Sequence, residues 1–315
     1  MACEFLSENA RSSFVDSVDT FLIDCDGARS RFINVLCILH LGVLWHGNDL
    51  IDGANRTIQS LRSLGKRLFF VTNNSTKSRL QYSQKFDRLG MKATPEEVIS
   101  TAYASAQYLK GKVPSKGKVY LIGSTGLIKE LDEAGISYIG TGPDPVSGDG
   151  YRLDEWAKCP LDPEVKCVLV GFDEHFSFIK MLKAASYLRN PDCIFIGTNE
   201  DSQLPLKNNQ ITIPGTGCMV SAVAMASNRE PIYVGKPHQP MFEILKQRHE
   251  IDPDRTCMIG DTVSTDIAFG KNNGLKTLLV MTGSTDKAHL EMMKTSKEDG
   301  IIRPDYYLDS ITQLA

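Results

Sequence analysis

Short apolar runs that end in polar or glycine-containing residues recur along the chain. Residues 20–23 run into Asp24-Cys25-Asp26-Gly27, 67–71 into Thr72-Asn73-Asn74-Ser75, 231–234 into Gly235-Lys236-Pro237, 256–259 into Gly260-Asp261, and 275–281 into Thr282-Gly283. Runs this short predict buried strands whose carboxyl ends open into loops. Helical periodicity over 54–64, 239–247 and 265–273 predicts the helices that cover them. The pattern predicts a doubly wound α/β fold around a parallel sheet, with polar side chains gathered at the strand ends.

The middle of the chain breaks this rhythm. Residues 118–123, 165–171 and 193–197 read as strands and 125–134 and 176–188 as helices, with a turn-rich stretch at 140–150. These elements suffice for a second α/β unit. The expected organisation is one domain inserted into another: a catalytic core from 1–100 and 230–315, and a cap from 101–229. The charged, helically periodic run 288–300 predicts a solvated surface helix.

Composition narrows the function classes. The 315 residues are 42% hydrophobic with a formal charge of −3, enough to bury one large core or two ordinary ones. No segment concentrates Lys and Arg as a nucleic-acid groove would, so no nucleic-acid partner is expected. The eight cysteines form no C-x-x-C pair, and residues 1–19 are polar rather than a secretory apolar stretch. Both features favour a reducing, cytoplasmic location. The longest apolar run, 32–45, is interrupted by Asn34 and His40 and is too short to span a bilayer, so no membrane partner is expected.

Candidate chemistry lies at the strand ends. In extended backbone, residues i and i+2 point the same way, so Asp24 and Asp26 can reach one site, one as nucleophile and the other handling a proton. An Asp-x-Asp pair alone fits loop capping or metal binding equally well. Thr72, followed by Asn73 and Asn74 at a helix start, suits phosphoryl oxygens but also simple helix capping. Lys236, just before a helix that Pro237 can begin, can neutralise a transferring phosphoryl group, or be a lysine in an exposed turn. Asp261 and Asp266 are hard oxygen ligands suited to magnesium, although helix capping also accounts for Asp266. His238 reads as a local hydrogen-bonding residue, and Cys25 as a small packed thiol.

The order of these signals is more specific than any one of them. Strand–Asp-x-Asp, strand–Thr, Lys before a helix, then strand–Gly-Asp-x-x-x-Thr-Asp resembles the four-motif pattern of the haloacid dehalogenase-like hydrolases over nearly the whole chain. Both acids at the first strand end separate it from the receiver domain, which also uses Asp, Thr and Lys. Within the superfamily it is similar to the phosphoglycolate phosphatase and pyridoxal phosphatase group, which is para-nitrophenyl phosphatase-like. The shared segments are Asp-Cys-Asp-Gly, Val-Thr-Asn-Asn-Ser-Thr-Lys (71–77), Gly-Phe-Asp-Glu-His-Phe-Ser (171–177), Pro-Gly-Thr-Gly-Cys (214–218), Gly-Lys-Pro-His-Gln-Pro-Met-Phe (235–242) and Asp-Tyr-Tyr-Leu-Asp-Ser-Ile (305–311).

The resemblance implies a Mg2+-dependent phosphatase for small phosphorylated metabolites. Asp24 would be the nucleophile and Asp26 the acid and base. Thr72, Asn73 and Lys236 would hold phosphoryl oxygens. The metal would be held by the Asp24 carboxylate, the Asp26 backbone carbonyl and Asp261, with Asp266 supporting from just outside. It also implies a homodimer formed through the cap. The cap segment 197–205 looks like the phosphoglycolate type, with Leu204 where pyridoxal phosphatases tend to carry His. That favours 2-phosphoglycolate or glycerol 3-phosphate over pyridoxal phosphate or phosphotyrosine.

One departure stands out. The family motif reads Asp-x-Asp-Gly-Val-Leu-Trp without a break, whereas here fifteen residues, 28–42, separate Gly27 from Val43-Leu44-Trp45. The segment is mostly apolar, and deleting it restores the motif. It reads as a short intron retained in the coding sequence. If translated, it predicts a weakly active or inactive chain, because it follows the general acid directly.

Overall fold

The structure, a computed structural model, describes residues 3–26, 42–146, 152–204, 211–296 and 300–314. In chain order its strands are β1 (Glu4–Phe5), β2 (Thr20–Asp24), β3 (Trp45–His46), β4 (Asp49–Leu50), β5 (Arg67–Thr72), β6 (Val98–Ser100), β7 (Lys118–Ile122), β8 (Tyr138–Ile139), β9 (Val165–Val170), β10 (Ile194–Gly197), β11 (Ile232–Tyr233), β12 (Thr256–Gly260), β13 (Lys276–Val280) and β14 (Tyr306–Leu308).

Seven of them form a parallel sheet in the order β1-β14-β13-β12-β2-β5-β6. Alternation along β2 explains why it lies in the middle. Phe21 and Ile23 pack to one side with Phe70, Ile259, Ile58 and Leu61, and Leu22 packs to the other with Phe69, Met258 and Phe242. A strand apolar on both faces is stable only between two helical layers. Chain order reverses at β2, which lies between β12 and β5. Ligands of open α/β sheets bind at the carboxyl ends beside such a reversal.

A second parallel sheet, β11-β10-β9-β7-β8, lies beside the first. Helix Thr101–Leu109 serves both layers. Its Tyr103 and Ala104 pack with Met241 and Phe242 of the first layer, while Ala102, Ala106 and Leu109 pack with Val119, Leu121 and Leu127 of the second. At the start of helix Thr125–Ala134, Gly126 allows a backbone-to-backbone approach. Its N–H donates to the Thr76 carbonyl at 3.1 Å, and a Cβ there would lie 2.5 Å from the Ser75 oxygen.

Most predicted strands and helices are present, and the fold is the α/β class expected. Two expectations change. The run 231–234, expected in the catalytic core, gives β11, which pairs with β10 at the edge of the second sheet. The apolar pattern of a short parallel strand says that it is buried, not which sheet it joins. Helix Lys287–Thr295 is amphipathic rather than solvated all round, because Leu290 and Met293 pack with Ile267 and Leu279. Segment 28–42, singled out as an insertion, lies outside the described residues except for Gly42, whose carbonyl accepts from Thr282 Oγ1 at 2.8 Å.

Candidate active site

A cavity of about 410 Å³ opens at the carboxyl ends of β2, β5 and β12, and is closed from the other side by the ends of β9 and β10. Asp24, Asp26, Thr72, Asn73, Lys236, Leu204, Asp261 and Asp266 all line it, so every residue nominated from the sequence reaches one site. Asp24 is the last residue of β2 and pairs in register with Val71, one before Thr72. Ile259 pairs with Ile23 across β12, which brings Asp261 alongside.

Lys236 is the hub. Its ammonium, 3% exposed, donates to Asp24 Oδ1 at 2.6 Å, Asp266 Oδ1 at 2.7 Å and the Val71 carbonyl at 3.2 Å. Burial alone would depress its pKa, but Asp24 and Asp266 reverse that and hold it above the ordinary lysine value.

The acids divide by how their oxygens are used. Asp266 is committed: Oδ1 to Lys236, and Oδ2 to the N–H groups of Asp261 and Thr262 at 3.2 and 3.1 Å. Asp24 Oδ2 and Asp261 Oδ1, by contrast, are buried with no hydrogen-bond partner among the described residues. One ligand atom from each of Asp24, Asp261 and Asp266 falls within 4.8 Å of the others. Glycines permit this crowding, since a Cβ on Gly283 would lie 1.8 Å from Asp261 Oδ2 and one on Gly260 would lie 2.1 Å from the Asp266 Cβ.

Electrostatics follow from that packing. Burial lifts the Asp24 carboxyl well above the usual range, with Lys236 opposing and Asp266 and Asp261 reinforcing the rise. Burial, reinforced by Asp266, lifts Asp261 to about 7. Two orphaned carboxylate oxygens in a buried acidic cluster are a donor set that fits a hard divalent cation such as Mg2+.

Asp26 is treated differently. Its Oδ1 accepts from Trp45 Nε1 at 2.8 Å and lies 3.5 Å from Lys85 Nζ, while Oδ2 accepts from Thr72 Oγ1 at 3.1 Å and from the Tyr82 hydroxyl at 2.5 Å. Burial pushes its pKa up, but Lys85, Tyr82 and Trp45 outweigh burial and hold it below the ordinary carboxylate value. Its side chain is therefore turned to these four groups rather than joined to the acid cluster.

Trp45, Tyr82 and Lys85 were not anticipated from the sequence. Tyr82 and Lys85 lie one turn apart on helix Arg79–Arg88, whose capping box Ser78-x-x-Gln81 was the readable sign of a helix there. Lys85 is 5% exposed and its ammonium lies 4.0 Å from the Trp45 ring, a cation–π contact that keeps a buried charge supported.

The remaining nominated residues also find partners. Thr72 donates to Asp26 and accepts from the Asn74 N–H at 3.1 Å. Asn73 is bonded through its amide to the backbone of Lys236. Leu204 is part-buried on the cavity wall, its N–H donating to the Ile213 carbonyl at 3.0 Å. His238 bonds Glu200 at 2.9 Å, the local role expected of it. Cys25 is fully buried, and its thiol pKa is raised far above the ordinary value by burial.

Comparison with known proteins identifies the family. Residues 40–137 match the family profile described as haloacid dehalogenase-like hydrolase, and 233–314 match the HAD-hydrolase-like profile. The first match opens at residue 40, beyond β2 and close to the end of the segment 28–42 that separates Gly27 from Val43. The chain is 42% identical to glycerol-3-phosphate phosphatase of Rattus norvegicus, over 99% of this chain and 94% of that protein. It is 41% identical to phosphoglycolate phosphatase 2 of Arabidopsis thaliana, over 100% of this chain and 98% of that one. Among solved structures, p-nitrophenyl phosphatase from Archaeoglobus fulgidus superposes with a TM-score of 0.75 at 26% identity, covering 94% of this chain and 98% of that one. Matched in sequence over its whole length, and carrying the nominated acids, threonine and lysine around one cavity, the chain belongs to the haloacid dehalogenase-like hydrolase family.

Proposed function

We propose that this protein is a magnesium-dependent phosphatase that hydrolyses phosphate monoesters of small metabolites through an aspartyl-phosphate formed on Asp24. The observation that carries the reading is the contact of Lys236 Nζ with Asp24 at 2.6 Å, in a buried cluster where Asp24 Oδ2 and Asp261 Oδ1 have no partner among the described residues. Asp24, Asp261 and the backbone carbonyl of Asp26 would hold Mg2+, with Asp266 supporting them through its bonds to Lys236 and to the Asp261 N–H. When bound, the ion supplies positive charge that offsets repulsion between the Asp24 carboxylate and a phosphate dianion.

In the first half-reaction an Asp24 oxygen bonds to phosphorus, the P–O bond to the leaving group breaks, and Asp26 gives its proton to the departing alkoxide. In the second, water attacks the same phosphorus, its proton passes to Asp26, and inorganic phosphate leaves with the Asp24 carboxylate restored. Lys236 neutralises phosphoryl oxygens throughout, and Thr72 orients Asp26 as well as reaching toward them. The resting charge of Asp26, held ionised by Lys85, Tyr82 and Trp45, suits the second half-reaction. The proton that Asp26 gives in the first half-reaction is taken up from solvent as the incoming dianion raises its pKa, and the water consumed in the second half-reaction returns it.

For substrate, the relatives named for glycerol 3-phosphate and phosphoglycolate, together with apolar Leu204 on the cavity wall, favour these two compounds. Pyridoxal phosphate and phosphotyrosine are the second reading. Residues 101–229 are read as the cap and 1–100 with 230–315 as the core, although within that core range Ile232–Tyr233 pair with β10 of the second sheet. A homodimer through the cap accords with the 88% exposure of Met225 and 43% exposure of Phe178 on two cap helices. The cytoplasmic reading rests on the cysteine pattern and on Cys3, Cys25, Cys159, Cys167, Cys193, Cys218 and Cys257 being unbridged. Among the described residues, no helix is long and apolar enough to cross a membrane.

The test is phosphate release with Mg2+ from 2-phosphoglycolate, glycerol 3-phosphate, pyridoxal phosphate, phosphotyrosine and para-nitrophenyl phosphate. The reading expects the first two to be turned over fastest, and Asp24→Asn to abolish release from all five. Release that survives Asp24→Asn would overturn it.

A further inference from the structure

Asn73 follows Thr72 at the end of β5, where a phosphate-binding side chain would be expected, yet its carboxamide is already spent. Its Oδ1 accepts from the Lys236 N–H at 2.8 Å, and its Nδ2 donates to the Lys236 carbonyl at 3.0 Å. The same Nδ2 lies 3.4 Å from Asp201 Oδ2. The Asn73 carbonyl accepts from Thr101 Oγ1 and from Asn199 Nδ2, each at 2.7 Å. An amide nitrogen has two protons, and both have partners here.

This makes residue 73 a junction. Asn199 and Asp201 follow β10 of the second sheet, and Lys236 follows β11 of the same sheet, whereas Asn73 belongs to the first. The approach is close: a Cβ on Gly235 would lie 2.7 Å from Asn73 Oδ1 and 2.5 Å from the Thr198 oxygen. A side-chain amide that pairs both backbone groups of one residue fixes that residue's position as a sheet neighbour would.

We propose that Asn73 is a positioning residue: it holds the Lys236 backbone so that the ammonium reaches Asp24 and Asp266, and it ties that position to the cap through Asn199 and Asp201. The proposal rests on the phosphoryl-binding role of Lys236 given above. Removing the amide leaves the N–H and C=O of a buried residue short of partners. A displacement of about 1 Å at a charged group in a reacting site costs roughly a hundredfold in rate.

The experiment compares Asn73→Ala, Asn73→Asp, Asp201→Asn, the double variant N73D/D201N and Lys236→Met in the full chain. It measures kcat and KM on para-nitrophenyl phosphate with Mg2+, thermal unfolding, and a crystal structure of N73A. Expected for N73A is a kcat lower by roughly a hundredfold with little change in KM, and a Lys236–Asp24 contact that opens beyond about 3.5 Å. N73D keeps the acceptor for the Lys236 N–H but sets a carboxylate against Asp201, so it falls at least as far. N73D/D201N restores a donor opposite the new acid and recovers at least about tenfold over N73D, one good charged hydrogen bond.

If Asn73 instead bound phosphoryl oxygens itself, N73A would raise KM at wild-type kcat and D201N would rescue nothing; either result overturns the proposal. Should N73A fail to fold, the comparison of N73D/D201N with N73D decides the matter alone. Full activity in K236M would overturn the Lys236 reading itself. An inactive K236M beside an N73A with wild-type kcat would overturn only the positioning role.

Discussion

The Trp45 indole N–H donates to Asp26 Oδ1 at 2.8 Å across 19 positions of sequence, and the two residues also form a parallel backbone bridge. Asp26 and Trp45, on either side of segment 28–42, are therefore already neighbours, so deleting the segment does not require them to part. Deleting 28–42 is expected to keep the fold and raise phosphatase turnover by about a hundredfold, the scale set by a slightly misplaced catalytic group. Equal turnover by the two forms would defeat this. Sequencing the mature transcript tests the intron reading separately, and a message that still encodes 28–42 refutes it.

The hold on Asp26 gives a second prediction. Tyr82→Phe removes one of the two bonds to Oδ2 while leaving the packed ring in place. A hydrogen bond to a charged group is worth about 1.5–3 kcal/mol, so kcat should fall by about tenfold or more. Lys85→Met should fall further, since it removes the charge nearest that carboxylate. Steady-state kinetics on the folded variants check both, and wild-type kcat in either would contradict the role given to this helix.

Metal and pH are linked through the acid cluster. Burial raises Asp24 well above the ordinary carboxyl range and Asp261 to about 7 in the metal-free protein. A group raised on folding binds more protons folded than unfolded. Its favourable contribution is complete below about pH 4, the unfolded value, and is lost as pH rises through about 7. Metal-free protein should lose stability from pH 5 to pH 8, while the stabilisation given by Mg2+ should grow over the same interval, because binding needs the ionised acids. Thermal melts with EDTA and with saturating Mg2+ measure both slopes. An Mg2+ shift equal at the two pH values would contradict the assignment.

Beside the second sheet lies a buried charge pair, Lys180 with Asp173 at 2.5 Å, exposed by 0% and 2%. Asp173 also accepts from the His175 N–H at 2.8 Å and follows Phe172, a wall of the active cavity. Removing one partner strands the other charge, so Lys180→Met should cost about 3–5 kcal/mol of stability, and K180M/D173L should recover most of it. Urea denaturation checks the pair, and a near-neutral K180M would show that the pair is not held as drawn.

What could be read in advance follows from where the chemistry lies. Asp24, Thr72 and Asp261 each end a buried apolar run, so strand periodicity alone sets them at one edge of a sheet. Tyr82 and Lys85 approach Asp26 from helix Arg79–Arg88, most of whose residues are polar, and a lysine there reads as solvent-facing until the fold buries it. The pairing of Asn73 with Asp201 joins residues 128 apart across two sheets. No local pattern encodes such a contact. β11 pairs with β10 rather than with a core strand for a related reason, since burial of a strand is a local property and the choice of neighbour is not.

In the proposed reaction, phosphate passes through the side chain of Asp24. The most direct test is acid quenching during turnover of para-nitrophenyl phosphate, followed by peptide mass spectrometry, on the chain as it stands and on the form lacking 28–42. A single hydroxylamine-labile phosphoryl group is expected on Asp24, absent from Asp24→Asn. A phosphoryl group on another residue, or turnover by Asp24→Asn, would contradict it.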